Sequence, residues 1–242
     1  MKKLILAAAI LAVGSTAMAQ TTVANIAAVR ALVLPQTDVI ISGTVVVISP
    51  EGAVQPTRNQ FLIADGSGAD GKTGILIDDS AEILTGEAAV GDTYTNLRGS
   101  LLDFNGLLEF VPLATGAPTF VANGAPSSPF ITPTVITVAT VFEDVESEVV
   151  RVNGADIAET GVFAANTTYA LTAPAGISAG INKLRFQASS SSTAVGVAIP
   201  SGTFDVIGEA RPFTVDFQVC PRFAADIIVA APTAASTWDL YN

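Results

Sequence analysis

Short runs dominated by apolar and β-branched residues recur along most of the chain, and each ends in turn residues. The first, Val39-Ile40-Ile41-Ser42-Gly43-Thr44-Val45-Val46-Val47-Ile48, is β-branched almost throughout. Comparable runs occupy 60–64, 74–78, 93–102, 106–111, 148–153, 168–172, 183–187 and 203–209. Alternation of this kind places successive side chains on opposite faces of a strand, and β-branched residues fit that pleated surface. Between the runs lie Pro50-Glu51-Gly52, Asp65-Gly66-Ser67-Gly68, Asn105-Gly106, Asn153-Gly154, Pro174-Ala175-Gly176 and Pro200-Ser201-Gly202, the residue types that tight turns require. The pattern predicts an all-β chain. Two segments read as short helices instead: Val23 to Leu32, capped by Thr21 or Thr22, and Val138 to Val145. The same alternation nominates a core of Val45, Val47, Leu62, Leu97, Leu101 and Phe110 in the first half, and of Val150, Val152, Leu171, Leu184, Val206 and Val219 in the second.

The second half can be laid over the first. Residues 39–48 correspond to 148–157, 59–68 to 167–176, 74–79 to 183–188, and 90–112 to 199–221. Order and spacing persist through five strand-sized units, and each half opens with a helical segment. Two copies of one module therefore account for the chain better than one domain of a dozen strands. The division this predicts is a first module over 20–122, a Pro/Gly/Ser-rich linker over 123–134, a second module over 135–231 and a tail over 232–242.

The segments Val39-Ile40-Ile41-Ser42-Gly43-Thr44-Val45, Phe61-Leu62-Ile63-Ala64-Asp65-Gly66-Ser67-Gly68, Gly74-Ile75-Leu76-Ile77, the stretch 90–110 and Cys220-Pro221-Arg222-Phe223-Ala224-Ala225-Asp226-Ile227 resemble the OB-fold modules of secreted bacterial proteins. Such modules occur beside extracellular nucleases and phosphoesterases and in surface proteins of Bacteroidota-like organisms. The resemblance implies two tandem five-stranded OB-like Greek-key barrels, each with a short leading helix. It also implies a ligand face on strands 2 and 3 with the flanking loops. The second copy departs from the pattern where Ala173-Pro174-Ala175-Gly176 replaces the aspartate-glycine turn.

Residues 1–19 change the picture of where the protein acts. Met1-Lys2-Lys3, the apolar run Leu4 to Val13 and Ala17-Met18-Ala19 before Gln20 have the parts of a signal peptide. The apolar run is too short for a membrane span, which takes roughly 20 residues. Export to the extracellular space or cell surface is expected, with the periplasm as the other compartment. Removing Lys2 and Lys3 with this leader leaves nine basic residues against 22 acidic ones, a formal charge of −13. That field opposes nucleic acid as a partner. Cys220 is the single cysteine, which excludes an intramolecular disulfide and fits a buried apolar residue. The sequence has no histidine, so the usual general base and the commonest transition-metal ligand are missing.

Few residues carry candidate chemistry. Asp65 and Asp70 in a glycine-rich turn, with Asp78 and Asp79 a strand later, offer hard oxygen ligands for calcium, although turns use the same residues; no other cofactor is expected. Arg58, Phe61, Lys72, Arg98 and Phe104 in the first copy, and Tyr169, Lys183, Arg185 and Phe186 in the second, are the basic and aromatic candidates for holding a ligand. Strand aromatics also alternate into cores, which is the competing role for Phe61, Tyr169 and Phe186. Glu143, Asp144, Glu146 and Glu148 read as a solvated acidic face. In the tail, Trp238, Leu240 and Asn242 alternate with Thr237, Asp239 and Tyr241 like a strand, so that Trp238, Leu240 and Tyr241 are candidate anchors for pairing with an open sheet edge, within the chain or on a neighbour. The function expected is a secreted, non-enzymatic structural or interaction protein that self-assembles, as a homo-oligomer or filament, or joins a surface partner. The alternative is an extracellular binding module for oligosaccharide or single-stranded nucleic acid. A metal-dependent phosphoesterase would need ligands and bases that this sequence does not assemble.

Overall fold

The computed structural model describes residues 20–50, 52–54, 58–67, 73–84, 88–116, 118–122, 132–137, 140, 142–172, 181–187, 193–214 and 216–229. Its elements are β1 (Thr21–Val23), α1 (Ile26–Arg30), β2 (Gln36–Ser49), β3 (Gln60–Asp65), β4 (Thr73–Asp78), β5 (Thr93–Phe104), β6 (Leu107–Pro112), β7 (Thr119–Val121), β8 (Thr134–Val135), α2 (Phe142–Val145), β9 (Val149–Ala155), β10 (Thr167–Ala170), β11 (Ile181–Phe186), β12 (Phe204–Phe213), β13 (Asp216–Cys220) and β14 (Ile227–Val229). Every run read as a strand from its alternation overlaps one of these strands, with ends that differ by a few residues at most. The residues of the linker from Asn123 to Ile131, and the tail, lie outside the described ones.

The first sheet runs β1-β2-β3-β4-β6-β5-β7, and β2 pairs with β5 as well. The five strands β2-β3-β4-β6-β5 therefore close into a barrel. All its pairings are antiparallel except β4 with β6. Closure depends on the length of β2: its first part pairs with β5 and its last part with β3, and its register to β5 shifts between Ile41 and Thr44. A bulge of this kind bends a strand so that one sheet can turn a corner. Inside sit Val39, Ile41, Val45, Val47, Phe61, Ile63, Ile75, Ile77, Tyr94, Leu97, Leu101 and Phe110.

The second sheet repeats the order as β10-β11-β13-β12-β9-β8, with β11 and β13 again the parallel step and β14 against β12. Here β9 and β10 are not paired along their length. Instead the Thr172 backbone N–H donates to the carbonyl of Asp156 at 2.8 Å, and its hydroxyl donates to the same oxygen at 3.1 Å. Both sheets also bring one glycine against the neighbouring strand at the equivalent position. A Cβ on Gly99 would meet the Phe110 ring and the Val111 carbonyl, and one on Gly208 would meet the Cys220 carbonyl and Val219.

All twelve residues nominated for the two cores are buried. Leu62, however, is not in the first barrel's interior. It packs with Ile48, Ala64, Leu76, Leu107 and Val149 in a third cluster that joins the outer face of the barrel to the start of β9. β3 is buried on both faces, so alternation there cannot say which face is the interior. Truncating a residue of either interior, such as Val45→Ala or Val206→Ala, is expected to cost about 2–4 kcal/mol through lost burial and a cavity. Urea denaturation reads this directly.

The helices are shorter than expected. Thr21–Val23 joins β2 as a parallel strand, in keeping with its β-branched residues. The cap of α1 is Asn25, whose side chain accepts the Ala28 N–H at 2.9 Å. In the second half the described helix covers Phe142–Val145, and residues 138, 139 and 141 of the expected segment lie outside the described ones.

Candidate functional site in the cleft between the sheets

The outer faces of the two sheets meet, and most of the contact is sealed. Besides the third apolar cluster, Arg30 pairs with Glu146 at 2.8 Å, and Glu146 also accepts the Leu108 N–H at 3.0 Å. The carboxylate of Glu209 accepts from the hydroxyl of Ser49 and from Arg211 Nε at 2.6 Å, while Arg211 Nη1 donates to Gln60 at 3.0 Å. Two of the four acids expected on a solvated face are thus buried. Glu143 and Asp144 are exposed, but Glu146 ties the sheets together and Glu148 accepts from Thr134 at 3.1 Å.

Beside this contact the faces part around a cavity of about 420 Å³. The first half contributes Arg58, Gln60, Phe104, Leu107 and Glu109; the second contributes residues of β10 to β13, including Lys183, Arg185, Arg211, Phe213 and Gln218. Its size lies in the range of small-ligand pockets. Four of the eight basic side chains among the described residues line it, in a protein whose overall charge is strongly negative.

The cations fall into two kinds. Arg58 pairs with Asp78, lies 3.9 Å from Glu109, and stands over the Phe104 ring at 5.4 Å. Arg211, 5% exposed, is held by Glu209. By contrast, Lys183 and Arg185 have no carboxylate within ion-pair distance among the described residues. Arg185 is steadied by neutral acceptors, the Asn166 carbonyl at 2.9 Å and the Thr168 hydroxyl at 3.1 Å.

Two phenylalanines mark the rim. Phe104 ends β5 and Phe213 ends β12, and the overlay of the two halves makes them the same position. Each precedes a residue with positive φ, Asn105 at 56° and Thr214 at 59°, which turns the hairpin. The two hairpin tips are joined by a bond from the Thr214 N–H to the Asn105 carbonyl at 2.8 Å. The rings are 47% and 52% exposed.

Glu109 is the titratable group most changed by this setting. Burial raises its pKa to about 7, assisted by the neighbouring Asp78 carboxylate and opposed by Arg58 and Arg211. A glutamate in the unfolded chain releases its proton near the ordinary value of 4.5. The stability linked to its proton is therefore fully present below about pH 4.5 and lost as pH rises through about 7. Glu109→Gln is expected to flatten this part of the stability profile, measured as urea midpoints from pH 4.5 to 8. A variant profile parallel to the parent's would contradict the assignment.

The remaining sequence candidates lie elsewhere. Phe61, Tyr169 and Phe186 are buried in the two interiors, where the Tyr169 hydroxyl accepts the Ala164 N–H at 2.8 Å. Arg98 does not line the cleft; it forms a two-pronged pair with Asp38, both bonds at 2.7 Å. Among the described calcium candidates, Asp65 is not brought to Asp78 and Asp79. Asp65 pairs with Thr73 and Asp78 with Gln60, at opposite ends of the β3–β4 hairpin. Asp65 accepts the Ile26 N–H at 2.6 Å and the Ser67 N–H at 2.9 Å, and Asp79 accepts the N–H groups of Ile83 and Leu84 at 2.7 and 2.8 Å. No group of metal-ligating side chains occurs among the described residues. Asp70, Lys72, Trp238, Leu240 and Tyr241 lie outside the described residues. Cys220 is buried, with its thiol pushed up to about 12 by desolvation, so it remains a protonated apolar side chain.

Sequence reasoning missed Gln60, Glu109, Arg211, Phe213 and Gln218. One signal was within reach: Phe213 is the repeat partner of Phe104, and an aromatic residue kept beside a turn in both copies has no interior to fill. No family model, curated protein or solved structure matches the chain.

Proposed function

We propose that this chain is an exported, non-enzymatic binding protein built from two OB-like barrels, and that the cleft between them takes an oligosaccharide. The observation that carries the reading is the placement of Phe104 and Phe213, equivalent positions of the two halves, half exposed on one cleft. Exposed rings beside amide and hydroxyl groups suit the apolar face and the hydroxyls of a sugar. The OB-like reading is supported by the pairing order β2-β3-β4-β6-β5 with one parallel step, as in a five-stranded Greek-key barrel, and by the same order in the second sheet without the closing pair. In both halves the strands equivalent to OB strands 2 and 3 contribute to the contact or the cleft. The net charge of −11, which becomes −13 without residues 1–19, disfavours a nucleic acid. Three carboxylates in and behind the cleft, those of Asp78, Glu109 and Glu209, are faced by arginines, which suits structure better than acid–base chemistry. Export rests on residues 1–19.

Calorimetric titration with neutral and acidic tetrasaccharides and an eight-nucleotide thymidine strand tests this. Saturable binding of a saccharide is expected, weakened about tenfold in Phe104→Ala and in Phe213→Ala, the scale of one lost stacking contact. Tighter binding of the thymidine strand, or no binding of any saccharide, would overturn it.

A second reading, assembly with copies of itself, draws on β10, whose outer edge carries no partner strand among the described residues. A segment that takes up extended backbone can add to such an edge, and the tail with Trp238, Leu240 and Tyr241 is the candidate that its sequence pattern nominates. Deleting residues 233–242 is then expected to remove oligomers seen by light scattering without loss of the fold. An unchanged mass would contradict that reading.

A further inference from the structure

We propose that the cleft selects an acidic oligosaccharide, with Lys183 and Arg185 of β11 taking the carboxylates while Phe104 and Phe213 flank the sugar rings. This rests on the binding reading above and adds the chemical class of the ligand. It follows from a difference between equivalent strands. In the overlay, Gly74 of β4 corresponds to Lys183 of β11, and Leu76 to Arg185. On β4 these two positions face the partner sheet: Leu76 is buried in the third cluster, and Gly74 lies against the backbone of Ser147. On β11 the same two positions line the open cavity, and both are cations.

Two neighbours of like charge on one strand face repel each other and need a reason to share it. No acid among the described residues pairs with either. The register supplies a row around them: Lys183 lies beside Gln218, Gln218 beside Arg211, and Arg185 beside Thr168. The row holds two cations without a carboxylate partner among the described residues, and neutral hydrogen-bonding groups for hydroxyls. Arg58 and Arg211, by contrast, are already neutralised by Asp78 and Glu209. Glu109 and Asp216 also line the cavity, so the positive potential is local and confined to the β11 wall. A ligand with discrete carboxylates spaced by hydroxyls fits such a wall better than a continuous polyanion, which the rest of the molecule repels.

Binding an anion beside Glu109 also favours the protonated carboxyl. The groups facing Glu109 are Asp78 from β4, Arg58 from the turn before β3 and Arg211 from β12, and Lys183 and Arg185 from β11 and Asp216 from β13 line the same cavity. An acidic ligand is therefore taken up more tightly as pH falls through about 7, and Glu109→Gln removes that dependence.

The probes are a tetramer of galacturonic acid and the same tetramer with its carboxyls reduced to alcohols, titrated into the full exported chain. The acidic tetramer is expected to bind at least tenfold more tightly, with the difference shrinking as salt rises. Lys183→Ala and Arg185→Ala should each weaken it about tenfold, and Arg98→Ala, outside the cleft, should not. Equal affinity for both tetramers, with both lost in Phe104→Ala, would overturn the acidic class and leave the oligosaccharide reading standing. Failure of both tetramers to bind would overturn the two together.

Discussion

Arg211→Ala is expected to destabilise the protein by about 3–5 kcal/mol, more than any truncation in the outer face of either sheet. Arg211 and Glu209 are both nearly fully buried, and between them they engage Ser49 and Gln60 of the other sheet. Removing the guanidinium leaves the Glu209 carboxylate desolvated with only a hydroxyl for a partner. The double variant Glu209→Met, Arg211→Met removes both charges and is expected to recover most of the stability, because the gain from a buried pair barely exceeds the cost of drying it. Urea unfolding of the single and double variants measures both. A single variant within about 1 kcal/mol of the parent would show that water reaches the pair.

Gly74→Val is the second large effect, expected at about 3 kcal/mol or more. A Cβ there would lie 2.8 Å from the Ser147 carbonyl carbon and closer still to its oxygen. The obstacle is backbone from the segment that leads into β9, so no rotamer change relieves it. The sheets must part or the strand must shift. Because the same substitution alters the contact and not the barrel interior, near-ultraviolet circular dichroism should retain the Tyr94 environment while the unfolding transition broadens or splits. A single transition at the parent's midpoint would contradict the close approach.

The strands were legible because period-two alternation and turn residues are local properties; the pairing order was not read from them. The interior followed wherever one strand face was polar. It failed at β3, where Leu62 and Phe61 are equally apolar yet face different clusters. The contact between sheets was not legible at all. Glu146 reads like its exposed neighbours Glu143 and Asp144, and nothing local announces that Arg30, more than a hundred positions away, will meet it. The site was half legible. Arg58, Phe104, Lys183 and Arg185 were named from residue type, and they share one cleft. Phe61, Tyr169 and Phe186 have the same chemistry, but register sends them inward. The most telling contrast, Gly74 against Lys183, is visible in the overlay but acquires meaning only once one face is seen to be covered and the other open.

In the proposed function both halves of the chain build one ligand surface. Amide chemical-shift mapping of the protein during titration with the galacturonic acid tetramer is the test. The account predicts that Arg58, Phe104 and Glu109 from the first half and Lys183, Arg185 and Phe213 from the second shift together, along one binding curve. Shifts confined to one half, or lying away from the cleft, would contradict it.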